Sequence, residues 1–287
     1  MDEAVAVGTT GALVTGGNTG HTWGGSERGP RPEVRRGRRY ARRVELQDGA
    51  VDAQANDPHD PPAPEYEVWR TTAADPAFSE WLRSASEPDW TAVVTHPFAA
   101  AIIRGEADMR RYLVQDFQFV DAFTALLGAA VAGADRFESR VPFGRFLGQI
   151  VTDTERSYFH RALAALGVDA DDVTSPELEP VTVRFRALMD EARVSQEYPV
   201  VLAVLCLAEW IYLGWASRAA EPLPEEFLYR EWIDLHSGPD FEAWVGFLRG
   251  ELDRLGPSLG EEGQARVLGF FREAARLERG FFDMAQG

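Results

Sequence analysis

The chain has 287 residues, 45% of them hydrophobic, and a formal net charge of −17 at pH 7. That is enough apolar material for a sizeable core, while the negative charge repels phosphates and argues against nucleic acid as a partner. One cysteine excludes an intrachain disulfide, no signal-like apolar segment opens the chain, and the setting expected is cytoplasmic and reducing.

Residues 1–62 are rich in Gly, Thr, Asn and Pro, lack apolar periodicity and carry eight arginines between Arg28 and Arg43. They are expected to form a disordered tail. The arginines suggest an arm for nucleic acid or a membrane surface, but Glu33, Glu45, Asp48 and Asp52 dilute them and favour a solvated tail. Residues 63–74 read as a proline-rich linker and residues 75–287 as the folded domain.

That domain reads as all-α, with helices joined by short turns and no alternation of strand period. A first helix opens at Asp75-Pro76 and runs through Phe78, Trp81 and Leu82. A second is expected over residues 89–104, closed by Gly105. The third, 108–132, shows an apolar stripe at Leu113, Phe117, Val120, Phe123 and Leu127, spaced by three and four. The fourth, 141–166, stops at Gly167, a residue suited to a helix C-terminus. The acidic run DADDVTSPELEP reads as a loop. Helices then follow over 181–193, 199–218, 225–235, 239–255 and 261–284, giving eight or nine in all. Trp81, Trp90 and Trp244 read as surface aromatics that support oligomerisation.

Residues 199–218, PVVLAVLCLAEWIYLGWASR, are apolar on nearly every side and are expected to be the buried central helix. The apolar run is about 15 residues long before charges resume, and Glu209 interrupts it, so it does not read as a membrane span. At about 100° per residue Ala208, Glu209 and Tyr212 share one side, whereas Cys206 lies about 200° from Ala208. A carboxylate in such a helix costs several kcal/mol unless it is paired, so Glu209 needs a partner or a task. Two further acids border apolar faces. Asp116 adjoins the stripe at Phe117, and Glu278 has Phe281 and Phe282 three and four residues on. Each is open between a structural ion pair and a site.

Other signals are weak. His160 and His236 attract attention as metal ligands, but no pair of His and acid has the spacing of a known metal motif, so no metal and no cofactor are expected. A GxSxG elbow, a phosphate-cradling glycine loop and a dinucleotide fingerprint are all absent. Cys206 has no neighbouring base and reads as a buried structural thiol.

Five motifs occur in order: His96-Pro97-Phe98; Tyr112 with Gln115-Asp116; Glu209-Trp210-Ile211-Tyr212; Tyr229-Arg230-Glu231-Trp232-Ile233; and Leu277-Glu278 through Met284-Ala285. On these residues the chain resembles the TenA/thiaminase II family over residues 95–285. The resemblance implies a heme-oxygenase-like multi-helix bundle. Commoner members carry a nucleophilic cysteine two residues before the central tryptophan, where this chain has Ala208 preceded by Leu207. Asp116, Tyr212 and Glu278 stand where the family keeps its pyrimidine-binding acid, its active-site tyrosine and its acid/base glutamate. Family tyrosines of the pocket are replaced by Phe119, Phe185 and His236.

The pattern is similar to the cysteine-lacking, Glu-type branch, which is associated with thiamin salvage. What it implies is a hydrolase of an aminopyrimidine or formylaminopyrimidine that uses carboxylate-activated water. Asp116, Phe119, Phe185, Ala208 and His236 would contact the pyrimidine, and Glu209, Tyr212 and Glu278 would carry the chemistry. The partner implied is a small-molecule pyrimidine, and the assembly a homo-oligomer, tetramer or dimer. Two other outcomes are a non-catalytic pyrimidine-binding or regulatory protein and a helical oxygenase-like enzyme of the same broad fold.

Overall fold

Proline, glycine and one histidine set several of the helix ends in this chain, whose computed structural model describes residues 62–152 and 154–287. The expected tail therefore lies almost wholly outside the described residues. The helices are α1 (Tyr66–Trp69), α2 (Phe78–Ala85), α3 (Asp89–Val94), α4 (Pro97–Arg104), α5 (Met109–Asp116), α6 (Phe119–Gly133) and α7 (Phe137–Thr152). They continue as α8 (Thr154–Ala165), α9 (Ala170–Thr174), α10 (Pro180–Ser195), α11 (Tyr198–Ala216), α12 (Phe227–Leu235), α13 (Pro239–Leu255) and α14 (Gly260–Gln286). Among the described residues there is no strand, so the all-α class holds.

The helix count exceeds the expectation because three long helices are divided and two short ones, α1 and α9, are added. Residues 89–104 break before Pro97, since a residue preceding proline is pushed out of the helical region. His96 sits there at φ −60°, ψ 139°, and its Nδ1 accepts from the Phe98 N–H at 3.1 Å, capping α4. With Nδ1 accepting, the ring proton is on Nε2, which donates to Asp283 Oδ1 at 3.1 Å and ties α4 to α14. Residues 108–132 divide at Phe117-Gln118, where Gln118 N bonds Gln115 O and Val120 N bonds Phe117 O. These tightened i→i+3 turns insert no residue, so the apolar stripe continues in phase and hides the break. The predicted fourth helix starts earlier, at Phe137, and is split between α7 and α8. The acidic loop contains the short α9.

Residues 63–74, expected as a linker, hold α1. Tyr66 is buried, its ring is 5.1 Å from Phe78 and 5.7 Å from Trp81, and its hydroxyl donates to Pro76 O at 2.8 Å. Beneath Phe78 lies Gly256, where a Cβ would come within 2.1 Å of the ring, so only glycine fits.

As expected, α11 is the central helix. Val200 to Leu207 are all 1% exposed or less, and α14, α13, α6, α10, α3 and α4 pack around it. Its 19 residues are long and apolar enough to cross a membrane, but here they form the core. Trp81, Trp90 and Trp244 are not surface aromatics: they are 3%, 6% and 8% exposed. Trp90 meets Trp210 edge-on at 4.7 Å and Trp244 stacks on Phe146 at 4.2 Å, because the apolar faces of their helices turn inward. They give no support to oligomerisation.

Away from that core, Glu251 on α13 accepts from Arg136 Nη2 (2.6 Å), the Tyr198 hydroxyl (2.8 Å), Arg254 Nε (3.0 Å) and Arg254 Nη2 (2.8 Å). Burial pushes its carboxyl up, but hydrogen bonds from Arg254, Ser139, Tyr198 and Arg136 outweigh this and hold it at about 2. The cluster joins the entry of α7, the start of α11 and the end of α13.

Candidate active site

Three carboxyl groups from three distant parts of the chain meet in one cavity. Asp116 is the last residue of α5, Glu209 lies in the middle of α11, and Glu278 is near the end of α14; all three line it. A carboxylate at a helix C-terminus faces the negative end of the helix dipole, so Asp116 occupies a place that helix stability alone disfavours. The cavity measures about 80 Å³. At roughly 10–15 Å³ per water centre this holds on the order of six waters, the space of a single substituted ring.

The walls are largely aromatic. Phe119, at the start of α6, and Phe185, on α10, meet at 5.3 Å with planes 62° apart, and Phe281 backs Phe119 at 5.1 Å. Tyr212, one turn after Ala208 on α11, shares a 2.7 Å hydrogen bond with the buried Tyr112 hydroxyl of α5. Burial first, then the charge of Asp116, pushes both phenols well above the usual tyrosine range, so the pair stays neutral.

Glu278 is 3% exposed, and its Oε2 has no hydrogen-bond partner among the described residues. Burial, then the charges of Asp116 and Glu209, raise its carboxyl well above the usual range. A group in this state holds its proton where an ordinary glutamate has lost it. His236, just past α12, packs against Trp232 at 4.4 Å and Tyr212 at 4.7 Å. Its Nδ1 lies 2.8 Å from Trp232 O, and burial lowers its pKa to about 4.

All eight residues singled out in the sequence, Asp116, Phe119, Phe185, Ala208, Glu209, Tyr212, His236 and Glu278, line this cavity. Cys206 does not. It is fully buried on another side of α11, and burial pushes its thiol up. Among the described residues no three His, Cys, Asp or Glu side chains form a group able to hold a metal, and His160 is exposed outside the cavity.

The model of the TENA/THI-4/PQQC family matches residues 83–287. The chain belongs to the TENA/THI-4/PQQC family. Among its relatives is the aminopyrimidine aminohydrolase of Halalkalibacterium halodurans, 23% identical over 217 residues, covering 73% of this chain and 95% of that protein. The enzyme of the same name from Bacillus subtilis is 24% identical over 219 residues, covering 72% and 89%. A solved TenA homologue from P. horikoshii OT3 superposes with a TM-score of 0.64 at 22% identity, over 73% of this chain and 98% of that one, which establishes the TenA fold.

In this TENA/THI-4/PQQC member Val120, Phe123, Ile150, Phe159, Met189 and Trp232 also line the cavity. Val120 and Phe123 lie on the apolar stripe and Trp232 lies in a family motif. Ile150, Phe159 and Met189 carry no such signal, because an apolar residue facing a cavity and one facing the core look alike in sequence. Tyr112 also escaped assignment to the site. Its tie to Tyr212 spans 100 positions and arises only where the tertiary fold brings the two side chains together.

Proposed function

We propose that this chain hydrolyses an aminopyrimidine, exchanging a carbon-bound amino group for hydroxyl and releasing ammonia. The observation that carries the reading is Glu278, buried with its Oε2 unpartnered in a ring-sized cavity that contains no thiol; burial first, then the charges of Asp116 and Glu209, favour its protonated form. The names of the relatives give the substrate class.

A 4-aminopyrimidine presents an amino donor beside a ring nitrogen, and a carboxyl group meets both when one proton is shared. Asp116 is assigned that contact. Phe119 and Phe185, with planes well apart, hold one aromatic ring by face and edge. Ala208 offers no nucleophile, so water attacks, and the chain is assigned to the Glu-type branch. Glu278, protonated before reaction, gives its proton to the departing nitrogen as the C–N bond breaks. Glu209 takes a proton from water as the C–O bond forms, and the Tyr212 hydroxyl donates to the atom on which negative charge gathers. One water is consumed and one ammonia leaves. The single free thiol, Cys206, fits a reducing, cytoplasmic setting.

Incubating the full chain with aminomethylpyrimidine and with formylaminopyrimidine tests the reading. Release of ammonia from the first supports the reading; formate from the second without ammonia from the first would replace it with amide hydrolysis, and turnover of neither overturns it.

A further inference from the structure

His236 occupies the cavity wall with one hydrogen-bonding atom left for a ligand. Its Nδ1 is 2.8 Å from the carbonyl oxygen of Trp232, and a carbonyl can only accept, so Nδ1 carries the hydrogen. Among the described residues no group hydrogen-bonds Nε2. The rings of Trp232, Tyr212, Phe241 and Trp215 lie 4.4, 4.7, 5.5 and 6.3 Å from the imidazole, a setting in which a second proton is costly. Burial accordingly lowers the pKa to about 4, so the ring is neutral at physiological pH. In that tautomer Nε2 is an acceptor and nothing else. A tyrosine at this place could give or take a hydrogen bond; this histidine can only take one.

We propose that His236 Nε2 accepts a hydrogen bond from an N–H group of the bound pyrimidine, making His236 a specificity-determining residue that favours a ligand bearing hydrogen at the atom facing it. The proposal rests on the reading of the cavity as a pyrimidine site, but not on turnover. An acceptor that a ligand covers without offering a donor loses its hydration and gains nothing, so a ring that presents a bare lone pair there is rejected. Among the described residues Glu278 Oε2 and Trp232 Nε1 also lack a protein partner; the first keeps the proton-exchange role while His236 selects the ligand.

The test uses the full chain labelled with ¹⁵N-histidine and two probes, aminomethylpyrimidine and unsubstituted pyrimidine, which carries no N–H. His236→Phe assigns the His236 signals. Aminomethylpyrimidine is expected to move the His236 Nε2 resonance upfield while Nδ1 stays protonated, and pyrimidine is not. Loss of one neutral hydrogen bond predicts that His236→Phe binds aminomethylpyrimidine roughly 3- to 10-fold more weakly and pyrimidine unchanged. His236→Tyr, able to donate, is expected to bind pyrimidine more tightly than the wild type does. An Nε2 signal that stays still while aminomethylpyrimidine is bound, or equal affinity of wild type and His236→Phe for that probe, overturns the proposal. Turnover with a silent Nε2 would refute this proposal alone. A shifted Nε2 without ammonia release would refute hydrolysis alone.

Discussion

Ionising Glu278 in the folded chain is opposed first by burial and then by the charges of Asp116 and Glu209. A carboxyl whose folded pKa is raised contributes its full stability below the unfolded value of about 4.5 and loses it as pH rises toward the folded value. Glu278→Gln removes that burden. Its Tm should match or trail that of the wild type below pH 4.5 and overtake it as pH rises, in thermal unfolding across a pH series. A constant difference at every pH would show that Glu278 titrates as an ordinary surface acid. The same substitution should lower kcat by about 10²- to 10⁴-fold, the range of a positioned acid–base group. Position 208 gives a second residue-scale expectation. Native wild type should resist alkylation, because Cys206 is fully buried, and Ala208→Cys should become alkylated in the cavity. Labelling of Cys206 in the native wild type would contradict the assigned orientation of α11.

Among the elements, α11 was the most legible, since apolar residues on every side admit only a buried helix. The Ala208, Glu209 and Tyr212 face followed from helical geometry alone. The breaks at His96-Pro97 and Phe117-Gln118 show two different limits. Pro97 is a local signal whose weight a continuous apolar pattern masked. The Phe117-Gln118 turn leaves no trace in the periodicity, because no residue is inserted. Trp81, Trp90 and Trp244 were misplaced outside the core for want of tertiary packing. The Glu251 cluster was also invisible, as its arginines, serine and tyrosine come from three separate elements. It predicts that Glu251→Gln destabilises the fold by about 1–3 kcal/mol near neutral pH, measured by denaturant unfolding. Because the Glu251 carboxyl is depressed to about 2, that contribution is present above about pH 4.5 and fades as pH falls toward 2. Equal stability of the two proteins at pH 7 would remove the cluster from the account of the fold.

For the molecule as a whole, the site exists only because α5, α6, α7, α8, α10, α11, α12 and α14 converge. No spacing in the sequence brings Asp116, Glu209 and Glu278 together; the order of family motifs does, and the cavity has all three in its wall. The match of the family model over residues 83–287 establishes the family, while identities of 23% and 24% to its relatives leave the reaction to these side chains. In the proposed reading Ala208 leaves water as the nucleophile, and Phe119, Phe185 and His236 hold the ring. The central claim is hydrolysis by carboxylate-activated water in this cavity. Ammonia release from aminomethylpyrimidine, followed side by side for the wild type, Glu278→Gln and wild type pretreated with a thiol-blocking reagent, tests it most directly. Steady release by the wild type, near-complete loss in Glu278→Gln and no effect of thiol blocking are the predicted results. Full activity in Glu278→Gln, or inactivation by the thiol reagent, would contradict it.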